Sequence, residues 1–167
     1  MTQTAVVIPV PEAEPAVARW RERYDPPAAM GMPAHVTLLY PFVARSEDVV
    51  AELRELFADR APFTVELAAT ARFPSGVLYL APEPAQPLRA LTEAIVERWP
   101  EAPPFEGEFP DIVPHLTVAN GHADDVLDTI EAELQNELPI SARLTEAWLY
   151  ELSDNRWTPT DRFPLGG

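Results

Sequence analysis

The chain has 167 residues, 47% of them hydrophobic, enough for one domain with a core of its own. It has no cysteine, which excludes disulfides and thiolate chemistry. The net charge is −15 and all 12 basic residues are arginine, a poor surface for gripping duplex or long single-stranded nucleic acid. A small anion in a locally arginine-lined cleft remains compatible with that charge. The opening stretch MTQTAVVIPVPE has no basic region, and its apolar run is too short for a signal peptide. No segment approaches the ~20 apolar residues of a membrane span. The expected location is the cytoplasm, with no membrane partner.

In chain order, AVVIPVPEAEP (5–15) reads as an apolar strand, a Pro/Glu-rich turn and the start of a helix. PAHVTLLYPF (33–42) reads as a strand with His35 and Thr37 two apart, hence on one face. A helix follows, with a stripe of Val49, Leu53 and Leu56 or Phe57, and Ser46 as its N-cap. FTVEL and GVLYLA are the next strands. Leu88, Leu91, Ile95 and Trp99 give a second helical stripe. PHLTVAN (114–120) repeats the histidine–threonine strand. The next helix carries Val126, Ile130, Leu134 and Leu138. RLTEAWLYEL reads as one strand, and DRFPL closes a sheet edge. Prolines cluster in connectors such as YDPPAAMGMP and PEAPPFEGEFPDIVP, which read as stiff loops.

This order is an internal duplication. His35 and His115 are eighty residues apart. EDVVAELRELFADRAPFTVEL (47–67) aligns without gaps on DDVLDTIEAELQNELPISARL (124–144). Each half reads strand, helix, His-motif strand, helix, strand. The expected fold is α+β: one bilobal domain over 1–167, with lobes of roughly 1–75 and 76–167. Its pseudo-twofold would set the two motif strands side by side or facing across a cleft.

A single H-x-T means little, the second could be inherited with the duplication, and a histidine bonded to its neighbouring threonine is a sound structural alternative. Two imidazoles, one neutral and one protonated, are nonetheless the minimum set for general acid–base cleavage of a phosphodiester. Two threonine hydroxyls can hold the non-bridging oxygens. The arrangement needs no metal or other cofactor. His122, Asp124 and Asp125 superficially resemble metal ligands, but the acids sit where a helix begins and complement its dipole; His122 then reads as an ordinary surface residue. Arg45 and Arg72 could bring positive charge, yet read as solvated. Tyr79, Trp148 and Trp157 read as core rather than ligand contacts.

HVTL and HLTV, in a duplicated α+β chain, resemble the paired signatures of the 2H phosphoesterase superfamily, and most closely its bacterial 2′-5′ RNA ligase-like branch. The resemblance implies antiparallel sheets around a central cleft, with helices outside and His35, Thr37, His115 and Thr117 lining it. It implies hydrolysis of a 2′,3′-cyclic or other 2′-linked phosphoester, with ligation as a reverse activity. Tyr40 stands where this branch commonly stacks an aromatic residue on a base. Asn120 stands where it often has a phosphate-binding arginine, a departure that favours a small nucleotide or cyclic phosphate over an RNA end. The chain is expected to act as a monomer. A non-catalytic nucleotide- or protein-binding module on the same fold is the alternative.

Overall fold

A computed structural model describes residues 2–107 and 111–166; residues 108–110, within the last proline-rich connector, lie outside the described residues. The chain forms β1 (Gln3–Pro9), α1 (Glu14–Tyr24), a short α2 (Pro26–Ala29), β2 (His35–Phe42), α3 (Glu47–Ala58) and β3 (Phe63–Phe73). The second half repeats the order: β4 (Val77–Glu83), α4 (Gln86–Arg98), β5 (Leu116–Asn120), α5 (Asp124–Leu134) and β6 (Ile140–Leu144). A hairpin, β7 (Glu146–Ser153) and β8 (Arg156–Pro164), ends it. The stretch read as one strand is two, interrupted at Thr145.

Two antiparallel four-stranded sheets result, ordered β2-β1-β7-β8 and β5-β4-β3-β6. The sheets do not divide the chain at residue 75. β3, from the first half, pairs with β4 of the second, and the C-terminal hairpin returns to pair with β1. By the duplication β6 should lie beside β1, but β7 holds that place and β6 sits at the outer edge of the second sheet, against β3. The helices cross over too: α1 packs on β5, and α4 on β2. Each motif strand is therefore backed by a helix from the other half.

The helices form where apolar residues recur every three or four positions. In α3 the fully buried stripe is Val50, Leu53 and Phe57, with Val49 only partly covered; in α5 it is Leu127, Ile130 and Leu134. Both stripes are thus rotated by one residue at their N-terminal ends from the sequence reading, because Val49–Val50 and Val126–Leu127 each offer two adjacent apolar candidates. Ser46 caps α3 as expected, its Oγ accepting from the Val49 N–H at 3.2 Å. One continuous core joins both sheets, and Phe57 stacks on Phe163 within it. Among the described residues, no helix is long and apolar enough to cross a membrane.

Candidate active site

β2 and β5, the outer strands of the two sheets, touch each other. Their side chains alternate identically: His35 and Thr37 are half-buried while Val36 is buried, and His115 and Thr117 are half-buried while Leu116 is buried. The apolar alternates enter the core, so the polar ones are left facing outward together. They line one cavity of about 510 Å³.

Strict alternation would turn Tyr40 away from this face. It faces the cavity because the ladder slips: Val6 opposes Leu39 but its neighbour Val7 opposes Thr37, so Leu38 is extra. The same slip recurs in β5, where Leu78 opposes Ala119 and Tyr79 opposes Thr117, leaving Val118 extra. Each bulge restores the face after one inserted residue. Tyr40 and Asn120 thereby join His35, Thr37, His115 and Thr117 on the cavity wall. The Tyr40 hydroxyl donates to Gln3 Oε1 at 2.6 Å, and its ring meets Trp157 edge-on.

The two imidazoles are held in the same way. His35 Nδ1 lies 2.7 Å from the Pro33 carbonyl, and His115 Nδ1 lies 2.7 Å from the Val113 carbonyl. A carbonyl only accepts, so Nδ1 carries the hydrogen in each and Nε2 has the lone pair. His35 Nε2 accepts from the Thr37 hydroxyl at 3.1 Å. Burial, then the charge of Arg21, pushes His35 down to about 3, and His115 across the cavity adds to this. Burial also lowers His115. The expectation of one protonated imidazole therefore does not describe the free protein near neutral pH, where both are neutral. Desolvation disfavours the imidazolium until an anion enters to offset it.

Several wall residues carried no signal in the sequence. Phe73 meets His115 edge-on, stacks on Tyr79 with ring centroids 4.5 Å apart, and lines the cavity. Thr92, buried on α4, donates to the Leu38 carbonyl at 2.7 Å and braces the bulge. Asp25 lines the cavity from the end of α1, and Asp111 from the loop before β5. An alternating polar pattern cannot reveal such residues, since each reaches the wall from another element.

Other candidates lie elsewhere. Arg45 is committed to Asp161 at 2.7 Å, and Arg72 to Asp128 at 2.6 Å with Glu131 and Asp124 nearby. No lysine or arginine is among the described residues lining the cavity. Tyr79 stacks behind the wall, and Trp157 is buried with Tyr150 in a small cluster outside the main core. Trp148 borders a different cavity, with Arg143 and Tyr150. His122 is not an ordinary surface residue: half-buried, its Nε2 donates to the Tyr24 carbonyl at 3.0 Å and ties the loop before α5 to the end of α1. Among the described residues no group of three or more His, Asp or Glu could hold a metal ion.

The family model of the 2′-5′ RNA ligase superfamily matches residues 9–156. The chain belongs to this superfamily. A Bacillus pumilus (strain SAFR-032) protein named "Putative phosphoesterase" is 31% identical, the match covering 99% of this chain and 98% of that one. A protein of the same name from Bacillus cereus (strain ATCC 14579) is 33% identical over 87% of this chain and 86% of its own. Among solved structures, E. coli LigT in its apo form matches with a TM-score of 0.67 at 21% identity, covering 99% of this chain and 98% of that chain. LigT complexed with 3′-AMP matches with a TM-score of 0.66 at 22% identity, covering 99% of each chain. Fold and family agree: the chain is a phosphoesterase-superfamily protein of the LigT architecture.

Proposed function

We propose that the protein is a phosphodiesterase that opens 2′,3′-cyclic or other 2′-linked nucleotide phosphoesters without a metal, using His35, Thr37, His115 and Thr117. The observation that carries this reading is the matched pair of imidazoles, each with Nδ1 tied to a backbone carbonyl, on the wall of one cavity. Fixing Nδ1–H leaves each Nε2 to handle a proton. One Nε2 takes a proton from water as that oxygen attacks phosphorus. The other gives a proton to the departing ester oxygen. With substrate bound, the Thr37 hydroxyl turns from His35 Nε2 and, with that of Thr117, donates to the non-bridging oxygens, on which charge builds.

A cavity of about 510 Å³ suits one nucleotide-sized ligand rather than a polymer. E. coli LigT has been crystallised with 3′-AMP, ATP and NADP+, which supports a nucleotide as occupant here. The carboxylates of Asp25 and Asp111, the lack of an arginine among the described wall residues and the net charge of −15 favour a singly charged cyclic phosphate over an RNA end. Tyr40 and Asn120 would contact the nucleoside. Ligation would use the same two proton transfers with a ribose hydroxyl in place of water as the nucleophile on the cyclic phosphate.

The test is turnover of a panel of 2′,3′-cyclic nucleotides in excess EDTA. Turnover of at least one is expected. Binding without turnover by any member would instead identify a binding module, and turnover restored only by a divalent ion would overturn the metal-free chemistry.

A further inference from the structure

The cavity wall holds a carboxylate that the proton transfers do not use. Asp25, at the end of α1, lines the cavity and is only 4% exposed. Its Oδ2 accepts from Arg21 Nε at 3.3 Å, with Nη2 at 3.2 Å. Arg21 Nη1 in turn donates to the Met32 carbonyl at 3.0 Å, so the carboxylate is clamped from behind. Among the described residues no hydrogen bond engages Oδ1, yet that oxygen is not sealed in. Its opening is onto the cavity that Asp25 lines. Burial pushes the carboxyl above the usual range, while the charge and N–H groups of Arg21 hold it down, which leaves an acceptor in the wall.

The fold itself does not need this pair. α1 begins at Glu14 and α4 at Gln86, and the same offset of 72 relates Val7, opposite Thr37, to Tyr79, opposite Thr117. At that offset Arg21 corresponds to Glu93 and Asp25 to Glu97, both exposed. The second half therefore folds without a counterpart. A buried ion pair also adds little stability once both charges have been stripped of water.

Asn120 is its neighbour on the wall. His122 Nε2 donates to the carbonyl of Tyr24, the residue before Asp25, at 3.0 Å, and this bond draws the end of β5 against the end of α1. Asn120 is the last residue of β5, two before His122, and it lines the same cavity. A fixed acceptor thus stands close to an amide that can donate. A carboxylate repels phosphate, so Asp25 must meet an uncharged part of the ligand that carries N–H or O–H groups. In a nucleotide that part is the edge of the base. Guanine offers an oxygen acceptor followed by two adjacent donors, its ring N–H and its 2-amino group. Uracil has one donor between two oxygens. Adenine and cytosine set a ring-nitrogen acceptor next to the amino group.

Resting on the nucleotide reading of the cavity, we propose that Asp25 is a specificity-determining residue and that the base it selects, together with Asn120, is guanine. Oδ1, with two lone pairs, accepts from the ring N–H and the 2-amino group. The Asn120 amide donates to the base oxygen. Each of the other three bases sets an acceptor against the carboxylate. Arg21 keeps the carboxylate turned toward the cavity.

The test compares wild-type kcat/KM on the 2′,3′-cyclic phosphates of guanosine, inosine, adenosine, cytidine and uridine. Inosine differs from guanosine only in lacking the 2-amino group. Guanosine should be turned over best, and inosine about ten- to a hundred-fold less well, the scale of one hydrogen bond to a charged group. Asp25→Asn, which keeps the shape of the side chain, should abolish most of that difference. Arg21→Met combined with Asp25→Leu removes the carboxylate without stranding a charge and should do the same. Circular dichroism checks that both variants fold. Equal wild-type rates on guanosine and inosine, a preference for another base, or a difference that survives loss of the carboxylate overturns the assignment.

A second arm reads recognition apart from turnover, by calorimetric binding of guanosine and inosine 3′-monophosphates to the wild type and to Asp25→Asn. Lack of turnover on every cyclic nucleotide would sink the phosphodiesterase reading. Tighter binding of the guanosine ligand, lost in Asp25→Asn, would uphold the base assignment even then, and equal binding of the two would overturn it.

Discussion

Phe73 presents its ring to the edge of His115, with centroids 5.0 Å apart and planes at 89°. Behind it Tyr79 stacks on Phe73, so the imidazole is held by aromatic walls as well as by the Val113 carbonyl. Phe73→Ala should leave His115 loose in its socket. On a cyclic nucleotide, kcat is expected to fall by about ten- to a hundred-fold, the scale on which small misplacements act. KM should change much less, and steady-state kinetics on that substrate separates the two.

The threonines give a second expectation. In the proposed chemistry each hydroxyl would donate to an oxygen that gains charge, a contact worth roughly 1.5–3 kcal/mol. Thr37→Val and Thr117→Val should therefore each lower kcat/KM by about ten- to a hundred-fold. Thermal melts should show both variants folded. Full activity in either would remove that threonine from the proposed chemistry.

Acid should weaken the fold through His35. Its folded value is about 3, below the ordinary 6.5, so the unfolded chain binds the extra proton first. Stability from this group is complete above about pH 6.5 and is lost progressively as pH falls toward 3. His115, shifted in the same direction, adds to the effect. Melting temperature should drop from pH 7 to pH 4, and His35→Ala should flatten that drop. An unchanged slope in the variant would place the acid sensitivity elsewhere.

Ser46 offers a stability test remote from the cavity. It caps α3, whereas its counterpart Ala123, before α5, makes no side-chain cap bond. Ser46→Ala should cost about 1 kcal/mol. In a chain of this length that is roughly 2–4 °C of melting temperature. Turnover should be unaffected, and calorimetry alongside an activity assay checks both.

Pairing two motifs at one spacing made four cavity residues legible before any coordinates, because strand alternation fixes which side chains share a face. Helix positions followed from periodicity, but the register did not: Val49 and Val50 are equally apolar, and only packing chose Val50. Tyr40 was placed by family likeness, and the reason it reaches the cavity, the bulge at Leu38, leaves no mark in the residue pattern. Asp25, Thr92 and Phe73 join the wall from elements distant in sequence, where local patterns are silent. The lobe boundary at residue 75 failed for a related reason. A repeat shows which segments are alike, but not which of two similar partners each edge will choose.

The exchange of strands between the sheets also sets the order in which the site can come into being during synthesis. β1 and β2, with His35, are among the first segments made, yet β1 keeps an open edge until β7 arrives, and β8 follows last. An open edge of that kind invites pairing with other chains. The ribosome must therefore release nearly the whole polypeptide before β1, on which the strand bearing the first histidine is laddered, has both its neighbours, and a product truncated ahead of residue 146 would contain both motifs without a completed frame to hold them.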